Sequence, residues 1–336
     1  MDHLSGAELM HRAIANAAAV RGTTAPNPWV GAVAVAADGS TYDGATEPPG
    51  RRHAERVALD AAAHAGASMA GGVVATTLEP CDHTGRTGPC TDALIDAAVG
   101  RVVVGTLDPD PNVAGRGIER LRAHGIEVEV GVAAEEVTAQ LGPYLHHRRT
   151  GRPWVVLKLA TTLDGRTAAP DGSSQWITGE AARTDAHRLR ARCDGILVGA
   201  ATVRADDPSL TVRLVDGPDP RRIVLGTAPD DARVHPCWEV GGELGDVLDE
   251  LGERGVVDLM VEGGAGVAGA LHRAGLVNEY VVYIAPALFG GEDAVPLFRG
   301  AGVPDMARLW RGRVVDVAQV GEDLRVTVMP PVDVGG

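Results

Sequence analysis

Glu79-Pro80-Cys81-Asp82-His83-Thr84-Gly85-Arg86-Thr87-Gly88-Pro89-Cys90 joins two different patterns. Before it, Val73 to Leu78 is a short apolar run, suited to a buried strand. After it, Pro89 to Ala98 reads as a helix with proline near its first turn, where a missing N–H costs little. The stretch is a strand-to-helix connection with a thiol at each end. Upstream, His53-Ala54-Glu55 opens another helix, Ala54 to Ala65. Three element boundaries therefore carry His53, Cys81 and Cys90.

The same alternation extends outward. Leu4 to Val20 has helical spacing with Ser5 as N-cap. Val30 to Ala36 is a strand ending at the hairpin signal Asp38-Gly39. Val102 to Gly105 and Ile126 to Val130 are strands; Gly117 to His124 and Glu135 to His147 are helices. Strands alternating with helices predict an α/β domain with a mostly parallel sheet. The polar run His146 to Pro153, ending in Gly151 and Pro153, reads as a linker. Domains over 1–147 and 148–336 follow, about the number this length suggests.

Beyond the linker, strands are expected at Trp154 to Ala160, Gly195 to Val198, Arg222 to Leu225, Val256 to Val261 and Glu279 to Ala285. Helices are expected at Glu180 to Arg192, Glu243 to Leu251 and Ala265 to Ala274. Arg313 to Val320 and Leu324 to Met329 form a closing hairpin on this second α/β domain.

Composition excludes several classes. The formal charge is −14 and no basic block is present, which argues against nucleic acid or an anionic membrane as partner. No apolar run approaches the roughly 18–20 residues of a membrane span. Asp2 and Glu8 interrupt the N-terminal apolar residues, unlike a signal peptide. Four cysteines in 336 residues are not a disulfide framework. A cytoplasmic location is expected. Of 31 Lys and Arg residues, Lys158 is the only lysine.

His53, Cys81 and Cys90 suit zinc with one coordination position left open, which is the mark of a catalytic site. Glu55 stands two residues from His53, placed to face the open position without binding the metal. Zinc deaminases use this arrangement: the metal activates water and a glutamate that is not a ligand shuttles protons. His83 is either a fourth ligand or a substrate contact.

In the C-terminal half, Glu262-Gly263-Gly264-Ala265-Gly266-Val267-Ala268-Gly269 follows a strand and opens a helix. Gly264, Gly266 and Gly269 satisfy GxGxxG, a turn that brings amides to a pyrophosphate. A Rossmann domain would have this turn early and an acidic residue about 20 positions on; here the turn is late and position 284 is Ile. Phosphate binding is supported and the Rossmann fold is not.

PNPWVG (26–31), HAE (53–55), EPCDHTGRTGPC (79–90), DPDPNVAGRG (108–117), LKLATTLDGRTA (157–168), GSSQWIT (172–178) and ADDPSLTVR (205–213) together resemble the bifunctional deaminase–reductases of riboflavin biosynthesis. The resemblance covers nearly the whole chain. It implies a cytidine-deaminase-like αβα domain followed by a dihydrofolate-reductase-like α/β domain. It further implies zinc-dependent deamination of a phosphoribosylaminopyrimidine, then NADPH-dependent reduction of its ribosyl group to ribityl.

Carried onto this sequence, His53, Cys81 and Cys90 resemble the zinc ligands and Glu55 the proton shuttle. Asn27, His83 and Arg86 resemble deaminase substrate contacts. Ala160, Trp176, Thr202, Asp206 and the turn Gly264, Ala265, Gly266, Val267, Ala268, Gly269, Ala270 resemble NADPH contacts. Ser174, Arg190, Leu210, Arg213 and Glu262 resemble reductase substrate contacts, with Arg190 and Arg213 suited to a phosphate. Lys158, in an apolar strand, is assigned to the reductase cleft near the ribose. The family also implies a homo-oligomer.

Two departures stand out. Thr46 occupies the position where the family usually has a substrate-contacting His. Between Pro236 and Glu243 only six residues intervene, so a shortened or missing edge strand is expected. The alternative activity is a zinc deaminase of another nucleobase with a degenerate reductase domain. A regulatory metal- and nucleotide-binding protein is disfavoured because it has no use for Glu55.

Overall fold

A computed structural model describes residues 4–83, 88–111 and 113–331. The chain divides into two compact units, Met1–Gly151 and Arg152–Gly336.

The first unit runs α1 (Gly6–Ala19), β1 (Gly31–Val35), β2 (Thr41–Ala45), α2 (Ala54–His64), β3 (Val73–Leu78), α3 (Cys90–Asp96), β4 (Arg101–Thr106), α4 (Arg116–Ala123), β5 (Glu127–Val130), α5 (Ala134–Gln140) and α6 (Gly142–Thr150). Ser5 caps α1 in a capping box with Glu8, satisfying amide donors that a helix start leaves open. The sheet order is β2-β1-β3-β4-β5. Val74, Ala75, Val102, Val103 and Val104 are buried at its centre.

Two expectations are corrected here. The sheet is mixed: β1 is antiparallel to β2 and β3, while β3, β4 and β5 are parallel. The tight turn after β1 reverses the chain at once and fixes that antiparallel edge. The expected helix Glu135 to His147 is two helices, broken at Leu141, with Pro143 at the start of the second. The second helix takes up most of the expected linker. It buries Tyr144, Leu145 and His147, while Arg149 and Thr150 are exposed on its outer face. Gly151, at φ +77°, ends it, as a left-handed C-terminal glycine does.

The second unit runs β6 (Trp154–Thr162), β7 (Arg166–Ala168), α7 (Glu180–Ala191), β8 (Gly195–Gly199), α8 (Ala200–Asp206), β9 (Arg221–Leu225), β10 (Trp238–Val240), α9 (Leu244–Glu253), β11 (Asp258–Val261), α10 (Ala265–Arg273), β12 (Glu279–Ala285), β13 (Val295–Pro296), β14 (Arg313–Val320) and β15 (Asp323–Met329). The main sheet has the order β10-β9-β8-β11-β6-β12-β15-β14. It is parallel from β10 to β12, and the closing hairpin is antiparallel. The edge strand β10 is three residues long, so the brief Pro236–Glu243 segment shortens this edge strand and does not remove it.

Alternation along β6 separates two cores. Val155, Leu157 and Leu159 pack in a cluster with residues of α9 and α10; Val156 packs with Ala182, Ala186 and Leu189 of α7. Lys158 shares the Val156 face. No helix among the described residues is long and apolar enough to cross a membrane.

Candidate active sites and family membership

In the first unit, His53 is the N-cap residue of α2, and its imidazole is not spent on capping. Cys81 follows β3, and Cys90 starts α3. His53 Nδ1 lies 3.5 Å from Cys81 Sγ and 3.3 Å from Cys90 Sγ. The three donor atoms all lie within 4.8 Å of one another. Zinc bonds of about 2.3 Å to sulfur and 2.0–2.1 Å to nitrogen, at tetrahedral angles, separate such donors by roughly 3.5–3.8 Å. The triad therefore fits zinc in both donor chemistry and spacing.

Electrostatics agree with that donor set. Hydrogen bonds from Cys90 and His53 pull the Cys81 thiol down to about 4. Cys81 itself, burial and the Glu55 charge push Cys90 up. One thiolate thus forms readily beside a thiol whose proton a cation would displace. Glu55 is 3 % exposed, and its Oε2 accepts from the Cys90 thiol at 3.5 Å. Burial, then the Cys81 charge, raises its pKa.

His53, Cys81 and Glu55 line a cavity of about 430 Å³. Asn27 and His83 line it too. His83 is exposed and is not one of the converging donors, so of its two readings the substrate contact fits its placement. Arg86 lies outside the described residues. Thr46 is buried with its hydroxyl engaged by Val30: it accepts from the Val30 amide at 3.2 Å and lies 3.3 Å from the Val30 carbonyl. That hydroxyl bonds to the backbone, although Thr46 also lines the cavity.

In the second unit, Lys158 and Arg190 converge on Glu262. Lys158 Nζ is 3.8 Å from Glu262 Oε2. Arg190 donates to Glu262 Oε1 through Nη2 at 2.8 Å and Nε at 3.2 Å, and to the Thr211 carbonyl through Nη1 at 2.6 Å. Burial opposes the Glu262 charge, but Arg190 and Lys158 outweigh it and hold the carboxyl at about 2. Arg190 is 7 % exposed, so it is not part of a solvated helix face. Its guanidinium donates to Glu262 and to the Thr211 carbonyl, while Arg213 is exposed.

Trp176 is 63 % exposed, so it is not a core residue; the Arg183 guanidinium lies 4.7 Å from its ring centre. Ser174 is half-buried in the same segment. Ala160 sits opposite Tyr283 on β12. Thr202 lies on α8, with its hydroxyl 3.3 Å from where a Gly264 Cβ would stand. Asp206 ends α8. Gly264 is the N-cap of α10, so the amides of Ala265, Gly266 and Val267 fall in a first turn that has no intrahelical acceptors.

The rest of the turn lies within α10. Ala268 is fully buried in the core. A Cβ on Gly269 would fall 2.1 Å from the Arg299 carbonyl oxygen; this glycine serves close packing. Ala270 continues the helix. The Leu210 side chain is likewise buried, in an apolar cluster with Ile196 and Val198.

Sequence reasoning missed several groups around both sites. Glu79 is buried and accepts from the Asp108, Gly115 and Gly117 amides. Tyr144 donates to Asp108 Oδ2 at 3.0 Å. His187, held to about 4 by burial and then by Arg190 and Arg213, accepts the Arg213 amide through Nδ1. Glu79 and Asp108 stood inside quoted motifs, but nothing local in the sequence paired Tyr144 or His187 with a site.

Residues 5–106 match the cytidine and deoxycytidylate deaminase zinc-binding region, and residues 153–326 match the RibD C-terminal domain. The riboflavin biosynthesis protein RibD of Mycobacterium tuberculosis is 46 % identical over 335 residues, covering 96 % of each chain. The chain belongs to the RibD family. The RibD of Bacillus amyloliquefaciens is 38 % identical over 96 % of this chain and 95 % of its own.

Solved RibD structures extend the likeness to both units. The deaminase/reductase of Thermotoga maritima has a TM-score of 0.90 at 33 % identity, covering 97 % of this chain and 99 % of its own. Acinetobacter baumannii RibD has a TM-score of 0.89 at 34 % identity over the same shares. Family membership makes the chain a bifunctional deaminase and reductase of riboflavin biosynthesis. Its first unit is cytidine-deaminase-like, with a zinc-binding region, and its second is the dihydrofolate-reductase-like RibD reductase domain.

Proposed function

We propose that the first unit hydrolyses the ring 2-amino group of 2,5-diamino-6-(5-phosphoribosylamino)pyrimidin-4-one. The second then reduces the ribosyl group of 5-amino-6-(5-phosphoribosylamino)uracil to ribityl with NADPH. The observation carrying this reading is the convergence of His53, Cys81 and Cys90 beside buried Glu55, at a cavity lined by His53, Cys81 and Glu55. When bound by that triad, zinc supplies the Lewis acidity that makes water nucleophilic near neutral pH. Glu55 accepts the proton from the attacking water, delivers it to the ring nitrogen, and assists departure of ammonia. Its burial supports this shuttle, since a carboxylate kept from bulk water binds a proton more readily. Asn27, His83 and Arg86 hold the pyrimidine and its phosphate.

In the second unit, NADPH, when bound, would supply the hydride that reduces the ribosyl group. The first turn of α10 offers its amides to the dinucleotide phosphates, with Thr202, Asp206, Trp176 and Ala160 bordering the same cofactor. Lys158 directs a compact ammonium at the ribose. Arg190 positions Glu262, while Ser174 and Arg213 hold the substrate and its phosphate. The intact Lys158–Glu262–Arg190 cluster favours an active reductase over a degenerate one. The enzyme acts in the cytoplasm as a homo-oligomer, whose contact we assign to the exposed outer strand β14.

Glu55→Gln tests the shuttle. It is expected to retain one zinc per chain while ammonia release falls about 10²–10⁴-fold, with reduction of the deaminated intermediate unaffected. Ammonia release at the wild-type rate would reject the role.

A further inference from the structure

Around the His53–Cys81–Cys90 triad, one group touches the neighbours of both cysteines. Arg120, on α4, donates through Nη1 to Asp82 Oδ1 at 2.5 Å, and through Nη2 to Asp92 Oδ1. Asp82 follows Cys81; Asp92 lies two residues after Cys90. The intervening Thr91, fully buried, donates its hydroxyl to the same Asp82 Oδ1 at 2.7 Å. Two backbone bonds run alongside: the Thr91 amide to the Cys81 carbonyl at 3.2 Å, and the Cys90 amide to Cys81 Sγ at 3.4 Å.

The helix that carries Arg120 is itself seated on the cysteine segment. Glu79, two residues before Cys81, accepts the Gly115 and Gly117 amides at 3.0 and 3.1 Å. A Cβ on Gly117 would stand 2.1 Å from the Pro80 carbonyl oxygen, so only glycine lets α4 approach this closely. Helix α4 therefore grips the chain on both sides of Cys81: at Glu79 and Pro80 before it, and at Asp82 after it. Through Thr91 and Asp92 the same grip reaches the Cys90 side.

We propose that Arg120 is a positioning residue for the metal centre, clipping Asp82 to Asp92 so that the Cys81 and Cys90 sulfurs are held at metal-binding separation. An isolated exposed ion pair is worth little. This one differs because its partners lie within two residues of two ligands, and one of them, Asp82, also accepts the buried Thr91 hydroxyl. A planar guanidinium spans two carboxylates, whereas a lysine ammonium is a point charge on a flexible stem. Outer-shell partners of metal ligands typically change metal affinity by about 10–100-fold when removed.

The inference rests on the zinc reading of the triad, and its test separates the two. Zinc release from the full-length protein into an excess of a chromogenic chelator is followed for wild type, Arg120→Ala and Arg120→Lys. The urea midpoints of the metal-free proteins are recorded in parallel. Both variants are expected to release zinc about 10–100-fold faster, with metal-free midpoints close to wild type. Cobalt-loaded variants are expected to show altered thiolate-to-metal absorption. Thr91→Val removes only the hydroxyl and serves if Arg120→Ala fails to fold; it is expected to release zinc faster as well. Wild-type release rates in the variants, or faster release explained wholly by a lowered metal-free midpoint, would overturn the clip. If wild type itself takes up no zinc, the reading of the triad fails instead.

Discussion

Replacing Glu262 by Gln isolates the charge arrangement of the second unit. Glu262 is 17 % exposed, and its neighbours hold it at about 2 against an ordinary 4.5. At 1.36 kcal/mol per tenfold change in proton affinity, that difference is worth about 3 kcal/mol of folding stability at neutral pH. The figure meets the low end of the roughly 3–5 kcal/mol lost when one partner of a buried ion pair is removed. Because the folded-state pKa is depressed, the contribution is complete above about pH 4.5 and is lost as pH falls through about 2.

The assay is urea unfolding followed by tryptophan fluorescence, since Trp154, Trp176, Trp238 and Trp310 belong to the second unit and only Trp29 to the first. With m near 1–3 kcal/mol/M, Glu262→Gln lowers the midpoint of the main fluorescence transition by about 1 M or more at pH 7. The gap between variant and wild type narrows to less than half by about pH 3. A pH 7 shift under about 0.3 M, or an equal gap at both pH values, would refute the reasoning.

Two further outcomes follow from placements in the same unit. Lys158→Arg keeps the charge but puts a larger planar group beside Glu262. Reduction of the deaminated intermediate is expected to slow at least about 10-fold, with ammonia release unchanged; wild-type reduction would remove Lys158 from the cleft. Val314, Val315 and Val317 are exposed on the outer strand β14, an edge that proteins normally blunt or cover. Sedimentation is expected to give a multiple of the chain mass, reduced by Val315→Lys; a wild-type monomer would dismiss that contact.

Patterns of short range were the legible ones. Val73–Leu78, Glu279–Ala285 and Arg313–Val320 form strands at the bounds their apolar runs set, and Ser5 caps α1 as expected. The metal triad was readable because its ligands sit at element boundaries, where turn residues make the chain's course plain. What escaped depends on tertiary neighbours. The break at Leu141 divides a sequence whose helical pattern runs through it. Helix α8 has only seven residues, too few for a periodic signal. Arg190 carried the same local signature as the other arginines of α7; only Glu262, 72 positions away, distinguishes it. Arg120 gains its place from Asp82 and Asp92, and Leu210 from the cluster around Ile196.

The most direct test of a two-step enzyme is one time course. The zinc-loaded full-length protein is mixed with the diaminopyrimidinone substrate, with and without NADPH, and ammonia release and NADPH oxidation are followed together. Ammonia release without NADPH, and NADPH oxidation that lags ammonia and reaches the same yield, is the predicted result. NADPH oxidation preceding ammonia, or ammonia release with no NADPH consumed by well-folded protein, would contradict the account.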